Sequence, residues 1–166
     1  MPEKETLERA REDEREGKSP STQAGEFVRE EMHHVREGKH GAKNTKQAIA
    51  IGLSKARRSG VKLSAPKKGR ASASTRKKAQ SDLSKGRSGS RKPSAKRSRA
   101  VRAALKKQGR AAASKSNLAR QARSSARKRG STARKAAAKK AVRTKGPTLL
   151  KSAARKAART RERRAA

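Results

Sequence analysis

The sequence predicts an all-α protein with a small N-terminal helical module of two to three short helices, residues 1–63, and a long low-complexity basic tail, residues 64–166, that is disordered or conditionally helical. Large apolar residues (Leu, Ile, Val, Met and Phe) number ten in residues 2–63 and only seven in residues 64–166. The module carries 14 Lys+Arg against 11 Asp+Glu, a net charge of +3, whereas the tail carries 36 against 2, a net charge of +34. Because ordering the backbone costs roughly 1–2 kcal/mol per residue and apolar burial must offset it, the tail is not expected to fold by itself.

Glycines bound the first two predicted helices. Residues 2–16 combine strong helix formers with Glu and Arg at three- and four-residue spacings, and Gly17 follows as a C-cap candidate. The second helix begins after the turn at residues 19–22 and ends at Gly38. Its apolar residues recur at helical spacing and should form one stripe that faces a small core. This stripe consists of Ala24, Phe27, Val28, Met32 and Val35.

The densest apolar segment, residues 45–58, is predicted to be the third helix, with Thr45 as its N-cap. Ala48, Gly52 and Ala56 follow one another at four-residue spacing. Such a strip of small residues allows another helix backbone to approach closely. We expect this face to pack on the apolar stripe of the second helix. Its members are Ala48, Ile49, Gly52, Leu53 and Ala56.

The residue types argue against catalytic and metal-binding functions. There is no cysteine, hence no disulfide framework, no thiolate nucleophile and no Cys-based zinc site. No Gly-rich phosphate loop or nucleophile elbow occurs, so we predict no enzyme, no catalytic residue and no cofactor. His33 and His34 are adjacent and would point about 100° apart on a helix. Together with His40 they suggest no convergent ligand set, so no metal site is predicted.

A net charge of +37 over 166 residues indicates a polyanionic partner. Duplex DNA is the expected partner, RNA is the alternative, and residues 22–58 are a candidate surface for a protein partner. The N-terminus is rich in Glu and has no apolar segment typical of a secretory signal, and no stretch approaches the roughly 20 apolar residues of a membrane span. We therefore expect a cytoplasmic, nucleoid-associated protein with no membrane partner.

The function predicted from these observations is nucleic-acid binding without sequence preference, through contacts of Lys and Arg with phosphates. Such contacts release condensed counterions, and about ten of them would give a logarithmic salt slope of roughly −9. Glycines divide the tail into pieces with high helix propensity but strong self-repulsion, which predicts coil in water and helix on DNA. The candidate nucleic-acid-binding residues are Arg57, Arg58, Lys67, Lys68, Arg76, Lys77, Lys78, Arg91, Lys92, Lys96, Arg97, Lys106, Lys107, Arg127, Lys128, Arg129, Arg134, Lys135, Lys139, Lys140, Arg163 and Arg164.

Two parts of the chain resemble known families. The segments Ser21 to Glu31 and Leu53 to Arg58 carry a resemblance, over residues 1 to about 68, to an uncharacterised bacterial family of small basic proteins in the domain-of-unknown-function class. That resemblance implies no activity and no site residues. The stretch Arg134 to Ala141 is similar to the C-terminal domains of linker histones and to the Lys/Ala tails of bacterial histone-like proteins. This second resemblance implies coating or condensation of DNA.

Two other functions stay open from the sequence. One is an RNA-binding or ribosome-associated basic protein, which competition between duplex DNA and structured RNA would distinguish. The other is an adaptor whose N-terminal helices bind a protein while its tail tethers that protein to a polyanion. Capture of one defined protein by residues 1–63 would favour the adaptor.

Overall fold

The computed structural model of the chain describes residues 2–89 and 94–165. Within these ranges the regular secondary structure is entirely helical, which confirms the all-α prediction. The described part contains no helix that is both long and apolar enough to cross a membrane. The helices are α1 (Lys4–Arg15), α2 (Pro20–Glu37), α3 (Thr45–Arg58), α4 (Ala73–Arg87), α5 (Ala95–Lys106), the one-turn 3₁₀ helix η1 (Ala111–Ala113) and α6 (Lys115–Ala165).

The chain divides into two compact units, Met1–Gln121 and Ala122–Ala166. The first unit contains α1 to η1 and the beginning of α6, and the second contains the remainder of α6. The boundary predicted at residue 63 lies inside the first unit.

The centre of the first unit is the contact between α2 and α3, as predicted from their apolar faces. Ala48 and Ala56 of α3 are fully buried. A Cβ atom at Gly52 would lie 2.7 Å from the Cα atom of Val28, so only glycine allows the two helix backbones to come this close. The predicted strip of small residues on α3 is therefore confirmed.

A second apolar cluster joins α1 to the same pair of helices. Phe27 is fully buried in this cluster together with Ala10 of α1 and Val61, which follows α3. Leu7 packs against it as the second apolar contact from α1. Polar contacts add to this attachment, for example the ion pair of Arg9 with Glu26 at 2.8 Å.

The predicted helix ends at Gly17 and Gly38 are confirmed, since both glycines have a positive φ, 71° and 78°. The predicted N-cap of α3 is wrong by one residue. Asn44 has extended backbone angles, and its side-chain oxygen accepts a hydrogen bond from Gln47 N at 2.9 Å. Thr45 instead donates its hydroxyl to the carbonyl oxygen of Ala112 at 2.7 Å, a bond between two distant parts of the chain.

The prediction of a disordered tail is wrong, because helices cover most of its described residues and part of it packs in the first unit. Helix α4 lies against α3. Ala79 is buried there, and Ser54 donates a hydrogen bond to Asp82 at 2.7 Å. A Cβ atom at Gly86 would lie 2.1 Å from the carbonyl oxygen of Arg57, so a glycine is required at this close approach.

The segment around η1 completes the core of the first unit. Ala112 and Ala113 are buried beside Met32 and Val35 of α2. Arg36 donates to the carbonyl oxygen of Ala113 at 3.0 Å. A count of large apolar residues does not detect this packing, because alanine methyl groups fill the narrow space left between close backbones.

Helix α6 is interrupted twice by glycine. Gly130 and Gly146 have φ values of 75° and 69° with ψ near 170°, which are not helical angles and are accessible mainly to glycine. These are two of the glycines at which the sequence divides the tail into pieces. Pro147 follows the second break, at a first helical position where its missing N–H is not needed.

Candidate nucleic-acid interface

The second unit is the most strongly charged part of the molecule. Its 45 residues include 17 Lys+Arg and a single acidic residue, Glu162, a net charge of +16. The described Lys and Arg side chains of this unit are exposed. Alanine, lysine and arginine have high intrinsic helix propensity, which explains why so basic a segment is helical. The result is a helical surface with positive charge along its length.

Most of the predicted nucleic-acid-binding residues are exposed. Arg91 and Lys92 lie outside the described residues, as does the side chain of Arg164. The exposed members are Arg58, Lys67, Lys68, Lys77, Lys78, Lys96, Arg97, Lys106, Lys107, Arg127, Lys128, Arg129, Arg134, Lys135, Lys139, Lys140 and Arg163.

Arg57 and Arg76 differ from the other predicted residues. Arg57 is buried, and its guanidinium donates to the carbonyl oxygens of Leu63 at 3.1 Å and Ser64 at 3.4 Å. Burial lowers the pKa of Arg57, and the charge of Asp82 opposes that shift. Arg76 is half-buried on α4. Arg57 thus secures the chain that leaves α3, and it is not available to a ligand in this conformation.

The second unit contains an internal repeat of 16 residues that was not predicted above. When residues 131–146 are aligned with residues 147–162, eight of 16 positions are identical and two more exchange Lys for Arg. Residues 115–130 share three basic positions of residues 131–146, at Arg123, Arg127 and Arg129, and the glycine at the end. Self-comparison of the tail at the spacing of Gly130 and Gly146 reveals the period directly.

Within each repeat, three of the cations recur at four-residue spacing and form a row on one side of a helix. Four-residue spacing places side chains above one another on the helix surface. Successive members of such a row are separated by about 6 Å along the helix axis. The rows are Lys135, Lys139 and Arg143 in one repeat and Lys151, Arg155 and Arg159 in the next.

The two units differ in how many of their charged side chains form ion pairs. Among the described residues, all ion pairs join side chains that lie between Glu3 and Lys55. Residues 64–166 contain only two carboxylates, and one of them, Asp82, accepts a hydrogen bond from Ser54. The cations of the second unit therefore have no comparable set of carboxylates within the described chain.

A cluster of ionisable residues lies in the first unit, on α2 and the loop after it. One ligand atom each from Glu31, His34 and His40 lies within 4.8 Å of the others. The sequence predicted no convergent ligand set for the three histidines, whereas the structure brings His34 beside His40, with ring centroids 6.0 Å apart. The spacing Glu31-x-x-His34, which puts both side chains on one helix face, was the signal available in the sequence.

Lysine and glutamate side chains surround this cluster. Lys55 Nζ lies 3.0 Å from Glu30 Oε1 and 2.8 Å from Glu31 Oε2. Burial alone would lower the pKa of Lys55, but the two carboxylates outweigh it and raise that pKa. At the rim, hydrogen bonds from His34 and then Lys39 lower the pKa of Glu3 to about 2. Glu3 is therefore ionised at neutral pH.

The fold and these sites define a small all-α protein in which a charge-paired helical unit is followed along the chain by a strongly basic helical unit. Residues 18–69, which include α2, α3 and the cluster on α2, match the model of a family of unknown function, DUF6496. The match confirms the resemblance of the N-terminal part to a family of unknown function. No curated protein and no solved structure matches the chain.

Proposed function

We propose that the protein binds nucleic acid, with duplex DNA as the favoured partner, and coats or condenses it without sequence preference. The observation that carries this proposal is the net charge of +16 on the 45 residues of the second unit. Such a surface attracts a polyanion, and each Lys or Arg that contacts a phosphate releases condensed counterions. The proposed role is that of a binding protein rather than an enzyme, at the nucleoid of the cytoplasm.

The spacing of the cations supports contacts along the DNA backbone. Along a row such as Lys151, Arg155 and Arg159, cations recur about every 6 Å. Phosphates of one DNA strand recur about every 3.4 Å along the duplex axis, so such a row provides one cation for roughly two phosphates. Phosphate contacts position a protein but carry no direct sequence information. We therefore expect binding to depend weakly on DNA sequence.

A charge-matched pair of full-length variants tests the proposal. The first replaces Lys151, Arg155, Arg159 and Arg163 by Gln. The control replaces Lys4, Arg11, Arg15 and Lys46, four exposed cations of the first unit, by Gln. Both variants lose the same net charge, so any difference between them reports the location of the binding surface.

Affinity for a fluorescent duplex is measured by anisotropy across a salt series with protein freed of nucleic acid. The tail variant should bind more weakly, with a logarithmic salt slope shallower by roughly 3 to 4, because about 0.9 is lost for each phosphate contact removed. The control should keep nearly the wild-type slope. Equal losses in both variants would indicate attraction by total charge alone, and a wild-type slope near zero would refute the proposal.

Circular dichroism tests whether the tail changes its secondary structure on binding. Because α6 is helical, adding duplex should increase the helical signal only slightly. A large increase would instead indicate a tail that orders on binding. Two duplexes of equal length and different base composition should bind with similar affinity, and a strong preference between them would contradict coating.

Different observations would distinguish RNA binding and the adaptor function from DNA binding. Structured RNA that competes better than duplex DNA would favour an RNA or ribosome-associated role. For the adaptor, the large apolar side chains that are more than half exposed in the described part of the chain all lie outside residues 22–58; they are Val101, Val142 and Leu149. The N-terminal helices use their apolar stripes within the first unit, so the observations support the tail as the principal binding surface.

A further inference from the structure

We propose that Glu31, His34 and His40 form a binding site for one divalent transition-metal ion, of which Zn²⁺ is the representative. The three side chains come from the last two turns of α2 and from the loop after Gly38. Glu31 is fully buried, and the side chains of His34 and His40 are only 12% and 15% exposed. Two imidazoles and one carboxylate are a ligand set used by zinc sites that retain an open position.

The hydrogen bonds of the two histidines leave one nitrogen of each ring available for a metal. His40 Nδ1 lies 3.1 Å from the carbonyl oxygen of Gly41, which can only accept, so Nδ1 carries the proton. In the neutral ring, Nε2 then has a free lone pair. In the same way, His34 Nε2 donates to the Glu3 carboxylate at 2.9 Å, which leaves Nδ1 without a proton.

This arrangement is typical of metal-binding histidines, which donate their second ring N–H to a carboxylate or a backbone carbonyl. One of the two histidines uses each kind of acceptor, Glu3 for His34 and Gly41 for His40. Both rings are thereby held in a defined tautomer before any metal arrives.

The buried carboxylate provides independent evidence for a cation. Oε2 of Glu31 pairs with Lys55 Nζ at 2.8 Å, whereas Oε1 has no hydrogen-bond donor among the described residues. Oε1 faces His40 Nε2 at 3.3 Å, so two lone pairs oppose each other when the ring is neutral. A buried carboxylate oxygen in this position is costly unless a cation or a proton lies between the two atoms.

The distance between these two atoms fits a shared metal. Zn–N and Zn–O bonds of about 2.0–2.2 Å at a tetrahedral angle place neighbouring ligand atoms roughly 3.4 Å apart. The 3.3 Å separation of Glu31 Oε1 and His40 Nε2 is close to this value. Since all three ligand atoms lie within 4.8 Å of one another, closing the site around one ion requires side-chain adjustments of about 1 Å.

A metal here would hold together parts of the first unit that are distant in sequence. His40 precedes Gly41 and Ala42, whose N–H groups donate to the carbonyl oxygens of Leu105 at 3.0 Å and Gly109 at 3.2 Å. Fixing His40 to α2 therefore also fixes the segment to which the end of α5 and the loop before η1 are bound. We assign the site a structural role in docking residues 105–113.

The test uses the full-length chain, freed of nucleic acid and metals, titrated with Zn²⁺ in a calorimeter. One Zn²⁺ should bind per chain, and saturating Zn²⁺ should raise the melting temperature by roughly 5–10 °C over the value in chelator. His34→Gln, His40→Gln and Glu31→Gln should each weaken binding at least tenfold. The matched control is His33→Gln, because His33 is adjacent but exposed, and it should bind Zn²⁺ within about twofold of wild type.

A second variant separates coordination from folding. His40→Cys exchanges one zinc ligand for another, so it should restore binding that His40→Gln loses. With Co²⁺ it should also show a thiolate-to-metal charge-transfer band that is absent from wild type. Equal Zn²⁺ binding by wild type and by the triple variant Glu31→Gln, His34→Gln, His40→Gln would overturn the assignment. Absence of Zn²⁺ binding by the wild-type chain would overturn it as well.

Discussion

The two units of this protein place their charges in opposite ways. In the first unit, carboxylates such as Glu30 and Glu31 are buried and lie beside Lys55. In the second unit, rows of Lys and Arg are exposed and have a single carboxylate residue among them. The comparison shows that position decides the surroundings of a charged residue: in the first unit it pairs with side chains of neighbouring helices, and in the second unit it is exposed.

The largest effect should come from removing one buried partner. Lys55→Ala leaves Glu30 and Glu31 without their shared ammonium group, and breaking a buried pair costs about 3 kcal/mol or more. Chemical denaturation monitored by circular dichroism measures the loss. The matched control is Lys139→Ala on the second unit, which should change stability by no more than about 0.5 kcal/mol. If both variants lost less than about 0.5 kcal/mol, Lys55 would contribute no more to stability than an exposed lysine of the second unit.

A smaller loss should follow from disturbing the docked tail segment. Ala113 is fully buried, whereas Ala111, two residues earlier, is exposed. Ala113→Asp would place an unpaired charge against α2 and should cost about 2–3 kcal/mol, or release this segment from the first unit. Hydrogen exchange of residues 105–118 reports the release. Ala111→Asp should leave exchange unchanged, and equal exchange in both variants would contradict the docking.

The close approach of α2 and α3 predicts an effect of about 2 kcal/mol. Gly52→Val adds atoms where a Cβ would already lie 2.7 Å from the Val28 Cα atom, so the helices must separate. At Gly25, on the exposed side of α2, a Cβ meets nothing within 4 Å. Gly25→Ala should therefore stabilise the protein by roughly 0.5–1 kcal/mol. The two glycines should thus have opposite effects in thermal melts.

The smallest effect concerns the exposed rim of the charge-paired unit. The pKa of Glu3 is lowered to about 2 by hydrogen bonds from His34 and Lys39. A carboxylate whose folded pKa is below its unfolded value stabilises the fold above the unfolded pKa of about 4.5, and this contribution is lost as the pH falls towards 2. Glu3→Gln should remove that part of the acid sensitivity, and Glu8→Gln, at an exposed position on α1, should not. An NMR titration that places the pKa of Glu3 near 4.5 would contradict this prediction.

Local features of the fold were predictable from the sequence because they depend on neighbours along the chain. The glycine ends at Gly17 and Gly38 and the small-residue strip of α3 follow from helix periodicity and backbone conformation. The prediction of a disordered tail was wrong because it used residue composition alone and could not include contacts with distant residues. Counting large apolar side chains ignores alanines such as Ala112 and Ala113, whose burial depends on a groove formed by distant residues.

The candidate sites also combine features that depend on residue type and features that depend on tertiary contacts. The sequence by itself determined the helical composition, the charge asymmetry and the abundance of exposed cations, since these depend on residue type and on short-range spacing. Only the tertiary structure decided that Arg57 is buried, that residues 105–118 belong to the first unit, and that His40 returns beside Glu31 and His34. The physical reason is that a positive-φ glycine ends α2 locally, whereas the position of the following loop depends on hydrogen bonds with residues more than 60 positions away.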